Sequence, residues 1–151
     1  MLEFKLNGKD ISVDAPAEDA LLSVLTNDLD QYGLKFGCGR SQCGSCTVLI
    51  DGESVRSCVT RAQAAIGRSV TTLAGLLEDG KPNKLQQAFI DEQAAQCGYC
   101  INGMIMEAQA LLDINPHPTE SEVRDALDDN LCRCGTHNRI VRAVLRASKE
   151  A

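Results

Sequence analysis

The chain has 151 residues, 44% of them hydrophobic but only 3% aromatic, with no tryptophan and a formal net charge of −6. That charge speaks against nucleic acid or an anionic membrane surface as partner, and no apolar run approaches the ~20 residues that cross a bilayer. The opening "MLEFKLNGKD" lacks the charged and apolar regions of a secretory signal, so a cytoplasmic protein is expected, unless it is exported on another subunit's signal.

The first elements read as β structure. In "EFKLNGKDISVDA", Phe4 and Leu6, then Ile11 and Val13, alternate with polar neighbours across Asn7-Gly8, which predicts a hairpin. "EDALLSVLTNDL" places Leu21, Leu22, Leu25 and Leu29 at helical spacing. After a loop rich in glycine and cysteine, "CTVLIDGESVRSC" predicts a second hairpin turning at Asp51-Gly52, and "SVTTL" at 69–73 a further strand. Residues 1–76 therefore form a small α+β domain.

Residues 77–83 carry the breakers Gly80, Pro82 and Asn83 and read as a linker. From 84 to 151 the periodicity is helical. "KLQQAFIDEQAAQ" is the first helix and "GMIMEAQALLDI" the second, stopped by Asn115-Pro116. Thr119 and Glu122 form a capping box for "ESEVRDALDDNL". Thr136 is the expected cap of a last helix whose Ile140, Val141, Val144 and Leu145 share one face. The second domain is thus an arrangement of four helices.

Eight cysteines in a chain without a visible signal point to metal before disulfides, because thiols stay reduced in the cytoplasm. Cys38, Cys43, Cys46 and Cys58 read C-x4-C-x2-C…C, the plant-type spacing for a [2Fe–2S] cluster. Such a cluster with four thiolates is anionic, and backbone N–H groups of a wrapping loop are its nearest donors. Turning them inward requires positive φ, which glycine adopts freely; Gly37, Gly39 and Gly44 stand where those turns fall. A four-cysteine zinc site is the alternative, but zinc ribbons present two C-x2-C knuckles and Cys58 has no near partner. The second set, Cys97, Cys100, Cys132 and Cys134, has spacings open to either zinc or iron–sulfur.

The stretches "CGRSQCGSCTV", "QCGYC" and "LCRCGTH", in this order, resemble the iron–sulfur subunit of the molybdenum hydroxylases, the xanthine dehydrogenase and aldehyde oxidoreductase family. The resemblance spans essentially the whole chain and is nearest to small subunits of nicotinate dehydrogenase and isoquinoline oxidoreductase. It implies an N-terminal β-grasp [2Fe–2S] ferredoxin-like domain followed by an all-α four-helix [2Fe–2S] domain. Cys97, Cys100, Cys132 and Cys134 then hold a cluster next to a molybdopterin (cytosine dinucleotide) molybdenum cofactor carried by a large partner subunit. Gln96 matches the glutamine that hydrogen-bonds the pterin, and Cys134 the ligand nearest to it. Cys38, Cys43, Cys46 and Cys58 hold the outer cluster, which passes electrons on to an FAD subunit or cytochrome c domains. Substrate oxidation belongs to the large subunit, acting on an N-heterocycle of the nicotinate type or, alternatively, an aldehyde. Where relatives often read "CGEGQCGAC", this chain has Arg40 and Ser41; the ligands are untouched.

No dinucleotide or P-loop motif and no catalytic triad appears, so the chain is expected to have no catalytic residue of its own. Met104 and Met106 are expected to fill the core, His117 to lie in a surface loop and His137 to start a helix. Arg133, between two ligands, is read equally as compensating charge or as a solvated cation. A reading of another class is a zinc-stabilised interaction module without redox function.

Overall fold

The structure, a computed structural model, describes residues 1–150. Strand β1 (Leu2–Leu6) alternates buried Leu2, Phe4 and Leu6 with exposed Glu3 and Lys5. It turns through Asn7-Gly8, both at positive φ, into antiparallel β2 (Lys9–Val13), the geometry that a two-residue hairpin demands. β3 (Thr47–Ile50) and β4 (Glu53–Arg56) repeat the device at Asp51-Gly52. β5 (Ser69–Thr71) lies between the hairpins, parallel to β1 and antiparallel to β3, giving the mixed order β2-β1-β5-β3-β4. β5 stops short of the predicted Leu73 because the Thr72 amide is given to Asn7 Oδ1 at 2.8 Å. The chain then tightens into a 3₁₀ turn at Leu73–Leu76.

Across the sheet lies α1 (Leu21–Ser23), shorter than its leucine spacing predicts and continued by a wider, π-helical turn at Val24–Asp28. The Thr26 hydroxyl donates to Leu22 O (2.8 Å) and the Asn27 amide to Ser23 Oγ (3.0 Å), the side-chain competition that loosens a helix. Leu21, Leu22, Val24 and Leu25 remain buried, closing a core with Phe4, Val48, Ile50 and Val70. Sheet and crossing helix make the expected β-grasp.

Helix α2 (Lys84–Asp91) starts on Asn83, which is an N-cap as well as a breaker: its side chain takes the Gln86 amide while Gln86 reaches back. It ends earlier than predicted, since Gln93 turns left-handed and Ala94 N–H closes on Phe89 O (3.0 Å), burying Ala94. α3 (Ile101–Ile114) stops before Pro116 as expected. α4 (Glu120–Ala126) has the predicted Thr119–Glu122 capping box but ends five residues early. The Leu131 amide is spent instead on Cys43 O, in the other half of the molecule (2.9 Å). α5 (His137–Lys149) buries Ile140, Val141 and Val144 against α2 and α4. Thr136 makes no side-chain cap there; its hydroxyl lies on a cysteine, described below. Met104 and Met106 are fully buried, and His117 is exposed in its loop.

The two cores meet where α3 lies on β3 and β4. Arg56 of β4 pairs with Glu107 of α3 at 2.6 Å, with both side chains largely buried. Ser54 donates to the same carboxylate (2.7 Å), and Arg56 also donates to Thr47 Oγ1 (2.7 Å).

Candidate metal centres

The loop 37–46 gathers three of the first four cysteines, and the turn after β4 delivers Cys58. Amides of Arg40, Gln42 and Cys43 all point at Cys38 Sγ, at 3.4, 3.2 and 3.4 Å. Cys38 N–H in turn points at Cys43 Sγ, and Cys58 N–H at Cys46 Sγ, each at 3.4 Å. Gly39 and Gly44 take the positive φ that this inward turning requires, and so does Ser41, at +64°. Gly37 does not. Its lack of a side chain is needed for space, since a Cβ there would lie 2.6 Å from Cys43 Sγ and 2.8 Å from Ser45 Oγ.

The second set forms from the turn between α2 and α3 and the loop before α5. Cys97 neighbours Cys134 and Cys132, and Cys100 neighbours Cys132 and Cys97. The first set gathers in the same manner: Cys38 neighbours Cys43, and Cys58 neighbours Cys46 and Cys38. Among the described residues no three His, Cys, Asp or Glu groups gather so as to hold one metal ion.

Within each set the thiols differ sharply in acidity. Burial opposes ionisation of Cys38, but the amides of Arg40, Gln42 and Cys43 outweigh it and lower its pKa to about 6. Burial, joined by the neighbouring Cys46 and Cys38, pushes Cys58 up to about 11. In the second set burial likewise takes Cys100 to about 12, with Cys132 adding to it. Cys132 itself falls to about 7, because the hydroxyl and amide of Thr136 overcome its desolvation. The hydroxyl stands 3.4 Å from the sulfur. Four thiolates in one such cage are sustained only around a positive core, which is what bound iron provides. The donor sets, four thiols each and no three closing on one ion, therefore fit a metal group with more than one metal atom.

Beside the packed polypeptide that joins the sets, a cleft of about 390 Å³ opens, lined by Cys43 and Ser45 from one side and by Cys97, Cys100 and Cys132 from the other. Tyr99 crosses its mouth, donating to Phe36 O at 2.5 Å. Arg133 and His137 line its rim; Arg133 is exposed, and His137 begins α5 as expected. On the far side of the second set, Gln96 and Cys134 share a polar cleft of about 660 Å³ with Thr136, Asn138, Arg139 and Arg142. Gln96 is exposed there.

Residues 4–73 match the family model for a 2Fe-2S iron-sulfur cluster binding domain and residues 72–145 that for a [2Fe-2S] binding domain. Over 148 residues the chain is 53% identical to one of the subunits of nicotinate dehydrogenase from Pseudomonas putida, covering 98% of this chain and 94% of that one. It is 49% identical to the alpha subunit of isoquinoline 1-oxidoreductase from Brevundimonas diminuta, over 100% of this chain and 99% of the relative. The chain belongs to the iron–sulfur small subunits of the molybdenum hydroxylases. A solved structure of quinoline 2-oxidoreductase from Pseudomonas putida 86 superposes with a TM-score of 0.95 at 39% identity, over 99% of this chain and 93% of that one.

Sequence reasoning finds all eight thiols of this small subunit but misses the groups that hold them. Ser45, whose hydroxyl lies 3.2 Å from Cys43 Sγ and donates to Lys35 O, carries no local signal. Nor do Tyr99 and Asn102, whose partners lie more than fifty residues away. Thr136 is visible only as a helix cap, which is the role it does not take.

Proposed function

We propose that this chain is the electron-transfer subunit of a molybdenum hydroxylase, with Cys38, Cys43, Cys46 and Cys58 holding one [2Fe–2S] cluster and Cys97, Cys100, Cys132 and Cys134 the other. The observation that carries the reading is that each set brings four thiols together without any three of them closing on a single ion, since a [2Fe–2S] cluster spreads four thiolates over two irons. Each cluster, when bound, takes up and releases one electron at a time. The chain's own residues set the conditions: the amides of 40, 42 and 43 and the hydroxyl of Thr136 offer hydrogen bonds to ligand sulfur, which favours the reduced, more negative state.

The domains of this reading are 1–76 and 84–151, joined by 77–83. Gln96 and Cys134, together on one cleft, face the molybdopterin cytosine dinucleotide cofactor of the large subunit; Gln96 offers it an amide and Cys134 the nearest ligand sulfur. The exposed loop around Arg40 faces the acceptor, an FAD subunit or cytochrome c domains. Among the described residues no helix is long and apolar enough to cross a membrane, and we place the assembly in the cytoplasm. The names of the relatives, a nicotinate and an isoquinoline enzyme, support an N-heterocycle over an aldehyde as substrate of the large subunit.

Iron and acid-labile sulfide analysis of the purified complex, combined with electron paramagnetic resonance on full reduction, tests the reading. About four irons per chain and two distinct signals are expected. A colourless preparation with zinc in place of iron, or a single signal of one spin per chain, overturns it.

A further inference from the structure

The polypeptide between the two thiol sets is packed backbone to backbone. Cys43 O accepts the Leu131 amide at 2.9 Å, so one hydrogen bond joins a ligand of the first set to the residue next to Cys132 of the second. Beside it, Gly44 and Gly103 leave no room for side chains. A Cβ on Gly103 would lie 1.9 Å from Gly44 O and 3.1 Å from Ser45 Cα, while one on Gly44 would lie 2.2 Å from Asn130 Oδ1 and 3.2 Å from Asp129 O. Asn102 fastens the same stretch to α3, its buried amide donating to Ser45 O (3.0 Å) and Thr47 O (3.3 Å). The loop segment Cys43–Gly44–Ser45 is thus gripped by α3 on one side and by residues 129–131 on the other.

Electron tunnelling weakens steeply across gaps and far less along bonds, so a contact at backbone distance is the strongest coupling a protein can build. We propose that the Gly44–Gly103 contact, secured by Asn102, is the device that sets electronic coupling between the clusters, by holding Cys43 O on the Leu131 amide. This rests on the two-cluster reading above. The step is the passage of one electron, oxidising by one the cluster on the second set and reducing by one that on the first; no bond is exchanged and no proton moves. Gly103 and Asn102 are positioning residues, acting through Cys43 and Leu131.

Two variants of the chain, each purified in its native assembly, test this. Gly103→Ala inserts a methyl between the backbones, and Asn102→Ala removes the fastening without adding an atom. Val123→Ala, in the fully buried core of the helical half, weakens that half without touching the contact. The readouts are iron content, the magnetic splitting between the two cluster signals at full reduction, and the intercluster rate after pulsed one-electron reduction. Gly103→Ala and Asn102→Ala are expected to keep their iron, lose most of the splitting and transfer electrons several-fold more slowly, with Val123→Ala unchanged in both. Full iron with wild-type splitting and rate in Gly103→Ala or Asn102→Ala overturns the inference, as does an equal loss in Val123→Ala. If Gly103→Ala does not assemble, Asn102→Ala decides. A wild-type complex without two clusters sinks the underlying reading instead, and iron analysis shows that before any variant is made.

Discussion

Arg40 sits in the loop whose amides converge on Cys38, its side chain in solvent. A cation near the cluster favours the reduced state. Through a mostly aqueous path a unit charge beyond contact distance is worth on the order of 0.5 kcal/mol. Reversing it in Arg40→Glu is therefore expected to lower the midpoint of the first cluster by a few tens of millivolts and leave the second where it is. A redox titration that follows both signals checks this, and an unchanged midpoint removes the role. Cys58 tests separateness at the same scale. It packs on the N-terminal core while Cys100 and Cys132 pack on the other, so Cys58→Ala is expected to reduce iron from about four to about two per chain, with the second signal intact.

The helices are held at their ends by reciprocal side-chain bonds. Asn83 and Gln86 satisfy each other's backbone at the start of α2 (both 2.9 Å), and Asn83→Ala is expected to cost about 1 kcal/mol of stability in denaturant titration. At α4 the Thr119 amide and hydroxyl hold the Glu122 carboxyl below the usual carboxylate range. A carboxylate with a lowered folded pKa stabilises fully above its unfolded value and loses that contribution as the pH falls through the folded one. The stability difference between wild type and Glu122→Gln should therefore be constant at neutral pH and shrink on acidification below about 4; a difference that grows there contradicts the assignment. The Thr119 box was legible because its residues are local, and both hairpins were legible because Asn7-Gly8 and Asp51-Gly52 need only themselves to turn. The ends of α2 and α4 were not. Ala94 turns inward to be buried, and Leu131 donates to a carbonyl eighty-eight positions earlier in the chain, so long-range packing rather than propensity ends both helices.

At the scale of the molecule, two cores too small to be robust alone are joined through α3. The first cysteine set stood out because C-x4-C-x2-C lies within one short segment, while the spacing of the second left zinc and iron–sulfur open. The joint was not, because Arg56 and Glu107 look like ordinary solvated charges on a strand and a helix until the fold lays one on the other at 2.6 Å. Removing one partner of such a pair leaves the other desolvated without compensation, a loss of about 3 kcal/mol. Arg56 is exposed to it acutely, since its Nε already has no partner and only Thr47 Oγ1 and Asp129 O would remain to its guanidinium. Glu107→Ala is accordingly expected to lower the melting temperature of the iron-loaded chain by about 6–12 °C. Replacing both partners by apolar residues of similar size, Arg56→Met with Glu107→Leu, removes the orphaned charge along with the bond and should recover most of that loss. Thermal melts of the single and double variants separate the possibilities: a double variant as unstable as Glu107→Ala would mean that the ion pair itself, and not the avoidance of a stranded charge, holds the two halves together.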